Sequence, residues 1–182
     1  MTPDKPAADN AGGTLPPRRD PQQPYRICVV CLGNICRSPM AERVLIAELA
    51  KAGLTGTVVV DSAGTGDWHL GEAMDSRASA ELSRRGHDGS GHEARQIQPT
   101  WLARYDLLLA MDQANLANLR QLANGDSGLG SRMRLMRSFD PAAPDGAEVP
   151  DPYYGSPADY AEVFDLVEAA AKGLASQLAA EL

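Results

Sequence analysis

The sequence predicts an α/β protein, a single domain with a four-stranded parallel sheet and helices on both faces. Short apolar runs rich in Val, Ile and Leu alternate along the chain with longer stretches whose apolar residues recur every three or four positions. This alternation is typical of parallel strands joined by helices that cover both faces of the sheet. With 182 residues, 43% of them apolar, the chain is long enough for one such domain with a substantial core.

The individual elements follow from these patterns and from the residues that end them. Strands are predicted over residues 25–31, 57–61, 106–111 and 132–136. Helices are predicted over residues 38–52, 75–85, 113–123 and 158–182, with a helical turn near residue 100 and a Pro- and Gly-rich loop over 140–157. Gly53 and Gly86 are suited to end the first two helices, because glycine accepts the left-handed backbone found there. Asp112 is a favoured N-cap for the third helix.

The first 24 residues differ in composition from the rest of the chain. They contain six prolines and almost no large apolar side chain. Such a segment buries too little apolar surface to offset the entropy lost on ordering it. We therefore expect residues 1–24 to be a disordered extension and residues 25–182 to form the domain.

Composition also restricts the partners and the location of the protein. The net charge of −7 argues against a nucleic-acid partner. No apolar run approaches the roughly 20 residues of a membrane-spanning helix, and the N-terminus lacks the apolar stretch of a secretory signal. The three cysteines crowd into residues 28–36, which is no disulfide framework, so a cytoplasmic location is expected. Composition leaves export by a non-classical route open.

Residues 31–37, called here the phosphate-binding loop, are the most informative stretch. Cys31 ends the first strand, and Arg37 and Ser38 begin the first helix, for which Ser38 is a favoured N-cap. A helix N-terminus stabilises a thiolate at its focus, and an arginine fork can hold two phosphoryl oxygens at once. The stretch therefore predicts a cysteine nucleophile inside an anion-binding loop, with Arg37 as the clamp for the charge that develops during phosphoryl transfer.

The interior of this loop is suited to curl around an anion. Gly33 and Asn34 tolerate the positive φ that turns successive N–H groups inward. Such a nest of N–H groups on a helix N-terminus binds phosphate. The loop residues expected to surround the phosphate are Leu32, Gly33, Asn34, Ile35 and Cys36.

Four motifs carry a resemblance to a known family. Cys-(x)5-Arg-Ser, written here CLGNICRSPMAE, is followed by DSAGT at 61–65, HEARQ at 92–96 and DPYYG at 151–155. Together they resemble the low-molecular-weight protein tyrosine phosphatases from residue 25 to the C-terminus, and GTGDWH with DPYYG is similar to bacterial members of the actinobacterial type. The resemblance implies a flavodoxin-like fold of the phosphotyrosine phosphatase I-like kind. It also implies hydrolysis of phosphotyrosine on proteins through a cysteinyl-phosphate, without a cofactor or a metal.

Expelling a tyrosine oxygen requires a proton, so a general acid must stand opposite the nucleophile. Two Asp-Pro pairs, at Asp140 and Asp151, lie in the 140–157 loop, and position alone does not choose between them. Resemblance to the family's Asp-Pro-Tyr-Tyr element selects Asp151. That residue would act first as general acid and then as general base for the hydrolytic water.

The resemblance also assigns the surroundings of the loop. The Ser38 hydroxyl is expected to bond the Cys31 sulfur, and Asn34 is expected to hold the left-handed turn with support from Ser62 and His92. A solvated loop position for His92 and core packing for the aromatic at residue 68 stay open as alternatives. The side chains that match the walls and rim of the family's pocket are Trp68, Tyr153, Tyr154 and Leu32.

Cys28 and Cys36 are not needed for hydrolysis. Cys36 is either a small packed side chain or, as the resemblance implies, the partner of Cys31 in a disulfide that protects the nucleophile from over-oxidation. The sequence leaves both interpretations open. Cys28 is expected in the core, since a strand alternates faces and turns it away from Cys31.

Three other functions have less support. Zinc binding would need Cys28 and Cys31 on one face of a strand, which the strand period forbids. An arsenate reductase of the same fold passes a disulfide to further cysteines, and none follows Cys36. A non-catalytic phosphotyrosine-binding module would be expected to lack the nucleophile or the acid.

The expected partner is a phosphotyrosine-containing protein. A tyrosine kinase that acts on Tyr153 or Tyr154 is a family-level hypothesis. No nucleic-acid or membrane partner is expected, and the protein is expected to be a monomer, although the sequence does not set the oligomeric state or name the physiological substrate.

Overall fold

The computed structural model describes residues 13–182. Its four strands are β1 (Tyr25–Cys31), β2 (Val58–Gly64), β3 (Leu107–Ala110) and β4 (Met133–Leu135). All pairs are parallel, in the order β2-β1-β3-β4, with Val29 opposite both Ser62 and Leu109. The predicted fold class, a four-stranded parallel sheet in a single α/β domain, is confirmed.

Within the described part of the chain, five helices surround the sheet: α1 (Arg37–Lys51), α2 (Ser76–Arg84), α3 (Gln113–Leu122), α4 (Ser127–Gly130) and α5 (Pro157–Glu181). Two 3₁₀ helices cover Pro99–Arg104 and Met136–Phe139. The single turn of α4 is absent from the sequence prediction. It forms because Asp126 accepts a hydrogen bond from the Leu129 N–H at 3.0 Å, whereas its few apolar residues provide no helical period.

The two faces of the sheet form two hydrophobic cores, and β1 contributes to both. Ile27 and Val29 pack on the face covered by α1 and α5, while Cys28 and Val30 pack on the face that carries α3. The strand period therefore places Cys28 and Cys31 on opposite faces, as expected.

Residues 13–24 differ from the predicted disordered extension, because they pack against the domain. Leu15 is buried, and the Tyr25 hydroxyl donates to the Pro16 carbonyl at 2.9 Å. Asp106 contributes to this packing, because its buried carboxylate accepts from the backbone N–H of Arg19 at 2.7 Å as well as from that of Arg26 in β1 at 2.7 Å. A buried charge needs such partners, and sequence composition does not reveal them. The rest of that prediction, residues 1–12, lies outside the described residues.

The sheet topology brings three loops together at its carboxyl edge. β2 follows β1 on one side and β3 lies on the other, so the end of β1 is a topological switch point, where ligands bind in open α/β sheets. The end of β3 also meets the 140–156 segment there, since the Val149 N–H donates to the Met111 carbonyl at 2.7 Å. Among residues 13–182, no helix has the length and apolar character needed to span a membrane.

Candidate active site

A cavity of about 290 Å³ opens at this carboxyl edge, with Cys31 among its lining residues. Ten residues predicted for the site contribute to its lining, and one further residue, His69, was not predicted. The full lining is Cys31, Leu32, Gly33, Ile35, Cys36, Arg37, Trp68, His69, Asp151, Tyr153 and Tyr154. The structure therefore gathers residues from three separate stretches of the chain, 31–37, 68–69 and 151–154, around one cavity.

The Cys31 sulfur is almost fully buried and lies close to two polar groups. The Ser38 hydroxyl oxygen is 3.0 Å from Sγ, and the Asn34 backbone N–H donates to Sγ at 3.3 Å. The Ser38 oxygen also accepts from the Asn34 side chain at 2.8 Å, which leaves its own hydrogen for the sulfur or for the Ala63 carbonyl. Donors aimed at a cysteine sulfur favour its anionic form, the form that attacks phosphorus.

The predicted N-cap role of Ser38 is wrong. Helix α1 begins at Arg37, its N-cap position is Cys36, and no side chain caps it. Ser38 instead lies in the first turn of the helix with its hydroxyl directed at Cys31. The distinction cannot be made from sequence, because both positions suit a serine at a helix start.

Asn34 holds the curvature of the phosphate-binding loop. Its φ is +56°, a left-handed value that few residues other than glycine adopt, and the residue is fully buried. Its side chain donates to Ser38 and, at 3.0 Å, to the Ser62 hydroxyl, and it accepts from the Arg95 N–H at 3.0 Å. These three side-chain hydrogen bonds therefore hold the loop in its curved conformation.

Ser62 and His92 lie behind the loop, at the positions that the resemblance implied. His92 Nε2 is 2.6 Å from the Asn34 carbonyl oxygen. The Ser62 hydroxyl donates to Glu42 at 2.5 Å, so that its oxygen is oriented to accept from Asn34. Glu42 was not predicted to act here. In the sequence Glu42 is one of the polar residues of α1, and no local pattern connects it to Ser62.

The surroundings of Gly64 explain why the DSAGT motif has a glycine at its fourth position. A Cβ atom at this position would lie 2.6 Å from the Leu32 carbonyl oxygen and 3.0 Å from the Asn34 nitrogen. The backbone of β2 therefore packs directly against the phosphate-binding loop, which a side chain would displace.

Arg37 is buried at the mouth of the loop, with only 3% of its side chain exposed. Nη1 donates to Asp112 Oδ2 at 2.6 Å and to the Val149 carbonyl at 3.1 Å, while Nη2 lies 3.4 Å from Asp151 Oδ2. Burial lowers the pKa of Arg37, but the negative partners, Cys31 foremost, outweigh it and raise the pKa above the ordinary value. The guanidinium is therefore permanently charged and fixed beside the sulfur.

Asp112 is a functional residue that the sequence prediction missed. Its Oδ1 caps α3 by accepting from the Asn115 N–H at 2.7 Å, which is the role the sequence predicted. Its Oδ2 orients Arg37, and that second contact joins residues 75 positions apart. Local sequence patterns carry no signal for such a contact.

The segment 140–156, called here the acid loop, contains both Asp-Pro pairs and places them in different surroundings. Asp151 lines the cavity with 44% of its side chain exposed, and its Oδ1 accepts from the Tyr153 N–H at 3.1 Å. Asp140 is buried outside the cavity and accepts from the Ala142 N–H at 2.9 Å. Only Asp151 is therefore placed to reach a group bound at Cys31.

Aromatic side chains form the outer walls of the cavity. Trp68 is 68% exposed, which rules out the alternative of core packing, and Tyr154 is 97% exposed. The rings of Tyr153 and Tyr154 meet edge to face, with centroids 4.9 Å apart. His69 lies 2.7 Å from Glu72 through Nδ1 and adds a polar group to this rim.

Cys36 lines the cavity but has a different environment from Cys31. Its sulfur lies 3.6 Å from the Tyr160 hydroxyl, and burial raises its pKa to about 12. The side chain is therefore a neutral thiol at ordinary pH. Within residues 13–182, no cluster of three His, Cys, Asp or Glu side chains is arranged to hold a metal ion.

A cysteine inside an anion-binding loop, with a buried arginine beside it and an aspartate across the cavity, defines a cysteine-dependent phosphatase. Comparison with known proteins places the chain within that class. The sequence model of the low molecular weight phosphotyrosine protein phosphatases matches residues 26–182, so the chain belongs to this family.

Curated relatives and solved structures agree with this placement. The low molecular weight protein-tyrosine-phosphatase of Streptomyces coelicolor is 50% identical over 82% of this chain and 91% of its own length. Low molecular weight protein-tyrosine phosphatase A of Mycobacterium tuberculosis is 44% identical over 83% and 90%, respectively. The crystal structure of YfkJ from Bacillus subtilis superposes with a TM-score of 0.81 at 33% identity, covering 89% of this chain and 99% of that one. The predicted family and protein-tyrosine phosphatase activity are thereby confirmed.

Proposed function

We propose that the protein hydrolyses phosphotyrosine on proteins in two steps through Cys31. The sulfur attacks phosphorus, the S–P bond forms, and the bond from phosphorus to the tyrosine oxygen breaks. The observation that carries the proposal is the position of Cys31 Sγ in the cavity, 3.0 Å from Ser38 Oγ and beside Arg37. The same hydroxyl that supports the attacking thiolate would support it again as the leaving group of the second step.

Arg37 would exchange one partner when the phosphoryl group enters the loop. Asp112 and the Val149 carbonyl fix Nη1, whereas Nη2 has the longer contact of 3.4 Å to Asp151. A phosphoryl group carries more charge than a carboxylate and forms bidentate contacts with a guanidinium. The Arg37–Asp151 contact would therefore be given up, and the clamp would strengthen as charge develops on the equatorial oxygens.

Asp151 would then be free to move a proton. The bound dianion occupies the Arg37 guanidinium, so the Asp151 carboxyl, which carries the proton in the first step, can turn toward the departing oxygen. That proton goes to the departing tyrosine oxygen. In the second step Asp151 takes a proton from water, the water oxygen bonds to phosphorus, and the S–P bond breaks to release phosphate.

The burial of Cys31 and the aromatic residues that line the cavity support a preference for phosphotyrosine. The aromatic ring of the substrate would lie between Trp68 and Tyr153, where ring contacts are favourable. The short stem of phosphoserine would not carry its phosphate to Cys31 past these walls. A tyrosine kinase that modifies the exposed Tyr154 or its neighbour Tyr153, a monomeric state and a cytoplasmic location complete the proposal.

The experiment compares hydrolysis of matched phosphotyrosine and phosphoserine peptides by the wild type and by Cys31→Ser, in the presence of EDTA. We expect the wild type to hydrolyse only the phosphotyrosine peptide, and Cys31→Ser to reduce that activity to background. Full activity of Cys31→Ser, or loss of wild-type activity in EDTA, would contradict the proposal.

A further inference from the structure

Two arginines hold the tip of the acid loop from different directions. Arg37 approaches Asp151 directly, with 3.4 Å between Nη2 and Oδ2. Arg77, the second residue of α2, donates from Nη1 to the Tyr153 carbonyl at 2.9 Å. Tyr153 in turn donates its own N–H to Asp151 Oδ1 at 3.1 Å. Arg77 therefore reaches the carboxylate of Asp151 through one intervening residue.

Asp75 connects Arg77 to the phosphate-binding loop. The Asp75 N–H donates to the Ile35 carbonyl at 2.8 Å, and its two carboxylate oxygens accept from Arg77 Nε at 3.1 Å and Nη2 at 2.9 Å. The hydrogen bonds from Arg77 lower the pKa of Asp75, and Asp75 raises the pKa of Arg77. This bidentate pair is therefore charged wherever the enzyme works, and it joins the loop that holds the nucleophile to the loop that holds the acid.

Aromatic rings fix the plane of the Arg77 guanidinium. The group lies 4.9 Å from the centroid of the Tyr160 ring on α5 and 5.5 Å from the centroid of the Tyr153 ring. A guanidinium can stack on such rings and donate several hydrogen bonds in its plane at once, which an ammonium group cannot do. The site is therefore specific for arginine.

We propose that Arg77 is a positioning residue for the general acid, and that it holds Asp151 in place after the substrate has taken Arg37. The inference rests on the proposed roles of Asp151 and Arg37. Once Arg37 turns to the phosphoryl oxygens, the connection from Ile35 through Asp75 and Arg77 to Tyr153 still ties the tip to the phosphate-binding loop. This connection fixes the distance between the Asp151 carboxyl and the leaving oxygen of a substrate bound at Cys31.

The test uses a series of aryl phosphates whose leaving phenols range from strongly to weakly acidic. Only weakly acidic phenols need the proton from Asp151, so kcat/KM along the series reports how well the acid is placed. The variant is Arg77→Met, which keeps an apolar stem against the tyrosine rings. Its matched control is Arg84→Met, on the same helix, whose guanidinium pairs with Glu81 and lies outside the cavity lining.

For Arg77→Met we expect kcat/KM to fall by about tenfold or more with the weakly acidic phenols, a part of the usual contribution of general acid catalysis. With the most acidic phenols it should stay at the wild-type level, and inhibition by inorganic phosphate should be unchanged. Arg84→Met should match the wild type throughout. Arg77→Lys keeps the charge and loses the planar fork, so its kcat/KM with weakly acidic phenols should lie between those of Arg77→Met and the wild type.

The double variant Arg77→Met/Asp151→Asn separates positioning from a general structural role. If Arg77 acts through Asp151, adding Arg77→Met to Asp151→Asn has no further effect on the leaving-group series. An equal slowing of all phenols with weaker phosphate inhibition, or additive effects in the double variant, would overturn the inference. If Asp151→Asn alone showed no leaving-group dependence, the proposed acid itself would be wrong, and this outcome is distinct from failure at Arg77 alone.

Discussion

The phosphate-binding loop and the acid loop face each other across one cavity, yet they are built in opposite ways. The phosphate-binding loop is seven residues long, and Asn34, Arg37 and their polar neighbours are buried and hydrogen-bonded. The acid loop is more than twice as long, contains no regular helix or strand and exposes Asp151 and Tyr154. Val149 anchors the loop in the core, and near Asp151 the loop is held by hydrogen bonds from Arg37 and Arg77.

The difference follows from what each loop must do. Charge that develops on phosphoryl oxygens is stabilised best by dipoles that are already in place and need no reorganisation. A proton donor must instead meet a leaving oxygen that arrives with the substrate and departs with the product. We infer that the buried hydrogen bonds on the nucleophile's side keep the phosphate-binding loop in one conformation, whereas the exposed tip of the acid loop around Asp151 is held by Arg37 and Arg77 and is more adjustable.

The largest effect on catalysis is expected at Asp151, in the acid loop. Asp151→Asn should lower kcat/KM for phosphotyrosine by about 10²- to 10⁴-fold, because the leaving phenolate loses its proton donor. The matched control is Asp140→Asn, in the other Asp-Pro pair of the same loop, which should leave kcat/KM unchanged. Equal losses in the two variants would show that the acid loop has been assigned to the wrong aspartate.

The next effect is expected on stability, at Asn34. Asn34→Ala removes the bonds to Ser38, Ser62 and Arg95 and keeps the left-handed backbone, so the free energy of unfolding should fall by about 2–4 kcal/mol. Asn124 is the matched control: it has a φ of +49° in an exposed turn, so Asn124→Ala should cost only about 1–2 kcal/mol of backbone strain. Urea denaturation measures both values. Equal losses would mean that the buried network around Asn34 contributes nothing.

Trp68 is expected to have a smaller effect, confined to substrate binding. Trp68→Ala removes one aromatic wall, and kcat/KM for a phosphotyrosine peptide should fall by about two- to tenfold, as loss of a ring contact predicts. Inhibition by inorganic phosphate should not change, because phosphate does not reach that wall. Leu70→Ala serves as the control, since Leu70 is a neighbouring exposed apolar residue that does not line the cavity. A weaker phosphate inhibition in Trp68→Ala would contradict this assignment.

The last prediction concerns the reactivity of Cys36, which should be low although the residue lies within the phosphate-binding loop. Burial raises its pKa to about 12, so the thiol stays protonated as pH rises and ionises only near that value. In the Cys31→Ser background, iodoacetamide should therefore label Cys36 slowly even at the pH of about 8.5 where an ordinary thiol is half ionised. Mass spectrometry before and after denaturation measures the difference. Rapid labelling of the folded protein would contradict the buried thiol, and it would favour the protective disulfide with Cys31.

Local patterns predicted the parts of the molecule that local chemistry determines. The spacing from Cys31 to Arg37 placed a strand end, a curled loop and a helix start in the right order, and the alternation of strands and helices gave the sheet. The choice of Asp151 over Asp140 required the family resemblance, since both residues have the same local context.

Asp112 and Glu42 were missed from sequence because each has a second, distant partner. Asp112 has the pattern of a helix cap and does cap α3, and Glu42 is one of the polar residues of α1. Their contacts to Arg37 and Ser62 depend on how α3, α1 and β2 come together in space. Residues 13–24 were assigned to a disordered extension for the same reason, because their order depends in part on Asp106, more than 80 positions away.

The central claim is that the phosphoryl group passes through the sulfur of Cys31. Rapid acid quenching of the enzyme during turnover of a phosphotyrosine peptide with radiolabelled phosphate, followed by peptide mapping, tests it directly. The account predicts a trapped label on the peptide that contains Cys31, and no label in Cys31→Ser. A label on another residue, or hydrolysis by the wild type without any trapped label, would contradict it.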